Sequence, residues 1–241
     1  MLITPAPLPP LLFRLAYAFY AWPAFLLLAI VSLPVLLVLP GLPRRRRLIR
    51  CVATTALHCI GMRVSASGID TLPHPCVVVA NHESYLDGVV LAATLPADFG
   101  FVIKREMRAV PAAGWLLERI GAHFVHRGGA GNGARDARRV LRHAQKGEAL
   151  VFFPEGTFHR APGLLPFRNG AFVAAQRAGL PLVPLIIRGT RRCLPPGTLT
   201  PWPGCIGVTV LTPLRATLAG AQGVAALRDQ ARALIIEHLE S

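Results

Sequence analysis

Charge is scarce in this chain. Of its 241 residues only 16% are Asp, Glu, Lys or Arg, against 53% hydrophobic, a more apolar balance than an ordinary soluble domain carries. Contact with a membrane is the simplest cause. Acidic residues are scarcer still: 12 Asp and Glu face 26 Lys and Arg, a formal net charge of +14, which favours anionic partners such as nucleic acid, anionic lipid or phosphorylated ligands. Aromatic residues make up only 7%, few for base stacking. No RNP-like pattern, zinc-finger spacing or basic zipper is present, so no nucleic-acid partner is expected. Lipid and phosphate remain.

Cysteine pairs are also missing. Cys51, Cys59, Cys76, Cys193 and Cys205 form no C-x-x-C and are odd in number, which argues against a disulfide framework and for buried thiols. The histidines His74, His123, His126, His143, His159 and His238 show no metal-ligand grouping, so no catalytic metal is expected. There is no internal repeat. Gly128–Gly133 (GGAGNG) lacks both the Gly-Lys-Ser/Thr ending of a Walker loop and the dinucleotide spacing, and reads with Pro195–Gly204 as a loop. The length suits one α/β domain with a short appendage.

From Leu15 to Pro43 no residue is charged, and roughly 20 helical residues already span a bilayer core. Pro23 and Pro34 interrupt the stretch, leaving a kinked single helix and a re-entrant helical hairpin both open. Arg44, Arg45, Arg46, Arg47 and Arg50 follow it, which by the positive-inside bias puts the rest of the chain in the cytoplasm, on the inner membrane. Residues 48–63 read as an amphipathic helix along the headgroups. Residues 1–63 are therefore expected to be a membrane-anchoring helical segment, and residues 64–241 an α/β domain.

In that second part short apolar runs alternate with helical stretches. Cys76–Ala80, Phe99–Ile103, His123–Val125, Leu150–Phe153, Leu182–Ile187 and Ile206–Leu211 read as strands. Ser84–Thr94, Ala112–Ile120, Arg135–Gln145, Ala171–Ala178 and Ala221–Leu239 read as helices. The alternation predicts an α/β fold with a central, mostly parallel sheet flanked by helices.

Polar residues gather where such sheets place active sites, at the carboxyl ends of strands. The run PCVVVA leads into Asn81-His82-Glu83-Ser84-Tyr85-Leu86-Asp87. At about 100° per residue, positions five apart on one helix diverge by about 140°, so His82 belongs to the turn before the helix. With Ser84 as N-cap, Asp87 falls in the first turn and can accept one imidazole N–H, leaving the other nitrogen to take a proton. Ser84-x-x-Asp87 is equally a capping-box signature, and spacing leaves the two readings open. A second group, Phe153-Pro154-Glu155-Gly156-Thr157, ends another apolar run and suits a pocket wall. Lys104, Arg127, Arg160, Arg168 and Arg188, at strand ends or turns, suit a phosphate.

Taken in order, these blocks resemble the glycerophosphate and 1-acylglycerol-3-phosphate (lysophosphatidic acid) acyltransferase family. Asn81, His82 and Asp87 match its N-H-x-x-x-x-D signature. Lys104 and Gly121–Arg127 match a Lys followed by G-x-x-F-x-x-R. Phe153–Thr157 with Gly163–Gly170 matches F-P-E-G-T-R and G-x-L-x-x-F-K-x-G, with Arg168 for Lys, and Val183–Ile187 matches a V-P-V-like strand. The resemblance implies that His82 deprotonates an acceptor hydroxyl, that Asp87 orients it, and that Lys104, Arg127 and Arg168 meet the acceptor phosphate beside a pocket shaped by Glu155, Gly156 and Thr157. The implied partners are a lysophospholipid acceptor, an acyl thioester donor and membrane lipid, with acyl-CoA or acyl-carrier protein as co-substrate and no cofactor. One position departs: the Arg after Glu-Gly-Thr is Phe158, with Arg160 two residues on as a substitute. No G-x-S-x-G is present and no cysteine has an evident His partner, so direct transfer is expected rather than an acyl-enzyme. An inactive lipid-surface scaffold and a membrane-bound phosphoester hydrolase are the competing readings.

Overall fold

The structure is a computed structural model that describes residues 10–126, 132–161 and 163–240. Its centre is set by a run with no polar side: all four residues of strand Val77–Ala80 are fully buried, and only a strand covered on both faces accommodates that. In chain order the strands are β1 (Met62–Ser67), β2 (Val77–Ala80), β3 (Gly100–Lys104), β4 (His123–Val125), β5 (Leu150–Phe152), β6 (Leu182–Arg188) and β7 (Gly204–Val210). They form a seven-stranded sheet in the order β1-β7-β6-β2-β5-β3-β4. Every pairing is parallel except β6 with β7.

The helices are α1 (Leu11–Val38), α2 (Leu42–Cys59), α3 (Leu86–Thr94), α4 (Ala113–Arg119), α5 (Asn132–Gln145), α6 (Gly170–Ala178), the single turn α7 (Thr190–Cys193) and α8 (Gly220–Glu240). Strand pleating divides them into two layers, because alternate side chains face opposite ways. Val78 and Ala80 enter one core with Leu57 of α2 and Leu86, Val90 and Leu91 of α3, against which Tyr17, Trp22 and Phe25 of α1 pack. Val77 and Val79 enter the other, with Val140 of α5, Phe172 of α6 and Ile235 of α8.

The N-terminal part is a helical hairpin. α1 runs unbroken for 28 residues through Pro23 and Pro34, so the turn lies after the apolar stretch rather than inside it. Gly41, at φ 80°, makes that turn and Pro43 opens α2; a positive φ there favours glycine and the first helical turn tolerates proline. The arginine run is thus helical, and α2 ends at Cys59, earlier than expected. Met62, the expected last residue but one of the anchoring segment, already starts β1. α1 is long and apolar enough to cross a membrane, yet it lies along the domain. Arg14 donates to the Thr200 hydroxyl at 2.8 Å, and Arg119 donates to the carbonyls of Leu36 and Leu37 at 2.7 and 2.8 Å. Its outer side exposes Phe19, Leu27, Ile30, Val31, Leu37 and Val38.

β1 was not expected as a strand. MRVSAS is an edge strand in which only Met62 is buried, so its sequence carries no apolar run. Of the thiols expected to be buried, Cys76 and Cys193 are, whereas Cys51, Cys59 and Cys205 are exposed because α2 and the start of β7 turn them outward. Burial pushes the Cys76 and Cys193 thiols up to about 12 and about 11, which keeps them protonated and inert. The GGAGNG loop lies largely outside the described residues, and α5 has begun by Asn132.

Arg46, read from sequence as part of a membrane-facing run, is instead the fastener of α2. Its side chain is 9% exposed and pairs with Glu148 at 2.8 Å, while donating to the carbonyls of Ile120 and Asp98 at 2.9 and 2.6 Å. Glu148 also accepts from His123 at 3.1 Å and His143 at 2.8 Å. The fold therefore gathers two histidines and a carboxylate, their ligand-type atoms within 4.8 Å, where the sequence showed no grouping; they come from β4, α5 and the turn before β5. Burial alone would raise the Glu148 pKa, but hydrogen bonds from His123 and Arg46 outweigh it and hold it at about 2. This contribution to stability is complete above the ordinary value of 4.5 and is lost as pH falls towards about 2. Glu148→Ala should cost about 3 kcal/mol, since it leaves a buried guanidinium unpaired. Urea unfolding at pH 7 and pH 3 checks this, with the difference between variant and wild type shrinking at pH 3.

Candidate active site

β2 ends at Ala80 and α3 begins at Leu86, so five residues turn the chain from sheet to helix. Asn81 fixes the start of the turn. Its buried amide donates to the Ile187 carbonyl at 2.9 Å and accepts the Ile187 N–H at 2.8 Å, continuing the β2–β6 pairing by one side chain. Asp87 fixes the end. Its Oδ2 accepts the backbone N–H of Glu83 at 2.7 Å and of Ser84 at 2.9 Å, and the His82 Nδ1 proton at 2.8 Å. One oxygen thus shapes the turn ahead of the helix and holds the imidazole. This forms only the Asp87 half of the capping box; Tyr85, not Ser84 as expected, stands at the N-cap. The Ser84 hydroxyl accepts the Leu86 N–H at 3.2 Å and donates to the Leu194 carbonyl at 2.8 Å, while the Asp87 N–H goes to the Ser84 carbonyl at 3.3 Å.

Because a carboxylate can only accept, His82 carries its proton on Nδ1 and Nε2 keeps a free lone pair. The Asp87 side chain is 1% exposed and that of His82 17%, so the carboxylate is buried behind an imidazole that lines the cavity. The imidazole is held on its faces too: Phe153 stacks on it at 4.2 Å and Phe158 meets it edge-on at 4.5 Å.

β5 is the neighbour of β2 in the sheet, which brings the second expected group alongside the first. Glu155 was expected on the pocket wall. It is instead 4% exposed and turned inward, its Oε1 accepting the His82 N–H and its Oε2 the Leu165 N–H, both at 2.7 Å. Burial pushes its pKa up to about 7; the two backbone hydrogen bonds oppose the rise, and Glu83 and Asp87 add to it. Glu155 thus positions the backbone of His82.

Gly156, Thr157, Phe158 and Lys104 do share a wall with His82. They line a cavity of about 390 Å³ that continues past Val89 of α3, Phe101 and Ile103 of β3, Met107, Leu116 of α4 and Ile120 just beyond it to Phe25 and Ala29 of α1 and Val52 and Ala56 of α2. Almost every side chain beyond its polar end is apolar. Each methylene moved there from water is worth about 0.8 kcal/mol, so the cavity suits an alkyl chain.

The expected cations are not all brought here. Lys104 is. Arg160 packs its guanidinium over Gly197, so close that a Cβ there would lie 2.9 Å from Nε, and it does not line the cavity. Arg168 is exposed and also outside the lining, its backbone N–H bonded to the Pro154 carbonyl at 2.9 Å. Arg127 lies outside the described residues, and Arg188 is exposed at the end of β6. Sequence reasoning missed Arg191, whose guanidinium donates to the carbonyls of His159, Arg160 and Ala161 at 2.9 to 3.2 Å and pins the loop that carries Phe158. No local pattern marked it.

Residues 63–188, more than half of the chain, match the family described as Acyltransferase. This chain belongs to the acyltransferase family. Among relatives of this acyltransferase-family protein, a chloroplast 1-acyl-sn-glycerol-3-phosphate acyltransferase of Brassica napus is 32% identical over 139 residues, 56% of this chain and 40% of that protein. The lyso-ornithine lipid O-acyltransferase of Pseudomonas aeruginosa is 34% identical over 160 residues, 65% of this chain and 60% of that protein. The chain thus spans less than two thirds of either relative. The crystal structure of the 1-acyl-sn-glycerophosphate acyltransferase PlsC of Thermotoga maritima has the same fold, with a TM-score of 0.77, 22% identity, and coverage of 95% of this chain and 98% of that one.

Two outcomes follow. Asp87→Asn should lower acyl-transfer kcat by about 10³ or more, as in other dyads whose imidazole loses its tautomer, while thermal unfolding still shows a folded protein; kcat within tenfold of wild type would contradict the assignment. Glu155, whose folded pKa lies above its ordinary value of 4.5, binds a proton in the folded state that the unfolded chain has released. The contribution of Glu155 to stability should therefore fall as pH rises from about 4.5 through about 7. Denaturant midpoints across this range check it: Glu155→Gln should gain stability relative to wild type as pH rises, and a difference that does not change with pH would contradict the raised pKa.

Proposed function

We propose that this protein is a lysolipid O-acyltransferase of phospholipid biosynthesis, moving a fatty acyl chain from acyl-CoA or an acyl-carrier protein to the free hydroxyl of 1-acylglycerol-3-phosphate. The observation that carries the reading is the His82–Asp87 dyad on the wall of an apolar cavity, in a chain of a family whose relatives are named for such reactions.

In this mechanism His82 Nε2 removes the proton of the acceptor hydroxyl as its oxygen attacks the thioester carbonyl carbon. The tetrahedral intermediate collapses, the carbon–sulfur bond breaks, and the imidazolium returns its proton to the departing thiolate. Asp87 stabilises the imidazolium throughout. Phe153 and Phe158 keep water from the imidazole, Glu155 and Asn81 hold the turn, and the cavity takes the acyl chain. Lys104, and Arg127 with it, meet the acceptor phosphate. The donor is a co-substrate, and neither cofactor nor metal has a step to perform.

The α1–α2 hairpin seats the domain on the inner membrane, with the outward apolar side of α1 among the acyl chains and Arg44, Arg47 and Arg50 at the headgroups. Contacts at both ends of α1 support a helix lying in one leaflet, and the catalytic domain faces the cytoplasm.

A second reading, acylation of a lysolipid without a terminal phosphate, is favoured by Phe158. It packs on His82 and on Tyr85, the latter at 4.8 Å, so no cation stands there, and the lyso-ornithine lipid enzyme is among the relatives. A panel of lysolipid acceptors offered to the purified protein separates the two. The first reading predicts the highest kcat/KM for 1-acylglycerol-3-phosphate; a faster phosphate-free acceptor would replace it by the second. Phe158→Arg should shift the ratio towards the phosphate acceptor by about tenfold, the worth of one charge-assisted hydrogen bond.

A further inference from the structure

Most of the positive charge takes no part in the active site, and the fold sorts it onto two faces. α2 carries Arg44, Arg47 and Arg50 on the layer that includes α1. α5 packs Val140 and Ala144 into the opposite layer, and its outer side carries Arg135, Arg138, Arg142 and, in the turn that ends it, Lys146. All four are exposed, and none makes a side-chain hydrogen bond or ion pair among the described residues. At 100° per residue the four fall within about 80° of one another, and the row is about 16 Å long. The acidic residue of this helix, Asp136, is buried and paired with His126 at 2.7 Å.

α1 and α5 pack on opposite faces of the sheet, so a bilayer lying against α1 is on the far side from the stripe. The stripe therefore faces water, where its complement is a soluble polyanion, and the proposed reaction needs one such molecule, the acyl donor. Position agrees. α5 covers β4, the edge of the sheet beside β3, and β3 ends at Lys104 on the cavity wall. Between α5, α4 and the start of α2 runs a groove of about 630 Å³ whose walls include Arg105, Arg108 and Arg139 together with Glu118 and Glu148. From β2, which ends beside His82, to β4 is three strand spacings, about 14 Å, a distance that a phosphopantetheine arm bridges.

We infer that the α5 stripe is the docking surface for an acidic acyl-carrier protein, whose arm passes over the β4 edge to deliver its thioester to His82. The inference rests on the acyl-transfer reading above and deepens it by naming the donor. A convex row this long has the dimensions of a protein helix, and a nucleotide would leave most of it unmatched; coenzyme A is therefore the alternative that the test must separate.

The test offers the full-length protein one acyl chain on two carriers, acyl-carrier protein and coenzyme A, with one lysolipid acceptor. In the variant Arg135→Glu/Arg138→Glu/Arg142→Glu, kcat/KM with the carrier protein should fall at least about tenfold, as charge reversal slows steered association, while that with acyl-CoA stays within about twofold. In the wild type, added salt should depress the carrier-protein rate more steeply than the acyl-CoA rate. An equal loss with both donors, no loss with the carrier protein, or a wild type that uses acyl-CoA alone would overturn the inference and leave the acyl-transfer reading standing. A wild type that uses neither donor would overturn both. Should circular dichroism show the triple variant unfolded, the wild-type salt comparison decides, and equal salt sensitivity overturns the inference.

Discussion

The site depends on one oxygen. Oδ2 of Asp87 accepts two backbone N–H groups and one imidazole N–H, so the forces that shape the turn before α3 and those that set the His82 tautomer cannot be separated. A carboxylate this buried is costly without donors; the turn supplies two from the backbone and His82 the third. Glu155 reinforces the arrangement from the adjacent strand, accepting the His82 N–H. Its burial makes it expensive to ionise, stability given up at a functional site for a fixed backbone.

Around this turn the sheet keeps two environments apart. One layer holds the apolar cavity, the α1–α2 hairpin and the exposed apolar side of α1; the other turns the basic side of α5 to water. In the proposed reaction a lipid acceptor and a water-soluble donor would approach from these two directions and meet at His82, at a strand's carboxyl end.

Much of this was legible in the sequence wherever a residue's role is set by near neighbours. β2, β5 and β6 are apolar runs because both of their faces are covered, and helical pitch with a five-residue spacing puts His82 in the turn and Asp87 at the helix start, leaving the bond between them to the structure. Legibility failed where a role depends on distant partners. MRVSAS pairs only with β7 at the sheet edge and has no apolar signature. Arg46 looks like its neighbours in the arginine run, yet it alone meets Glu148, 102 residues away. Glu155 matched a motif, but its inward orientation follows from β5 lying next to β2. Phe158 stood out as a departure, while its packing on His82 needed the loop that Arg191 pins.

The most direct measurement of the central claim is the tautomer of His82. In the protein labelled with ¹⁵N-histidine and held in detergent or bicelles, with the signal assigned by its loss in His82→Ala, the neutral imidazole should be protonated at Nδ1 with Nε2 free. Asp87→Asn should abolish that preference. A neutral His82 protonated at Nε2, or one unaffected by the loss of the Asp87 carboxylate, would contradict the account.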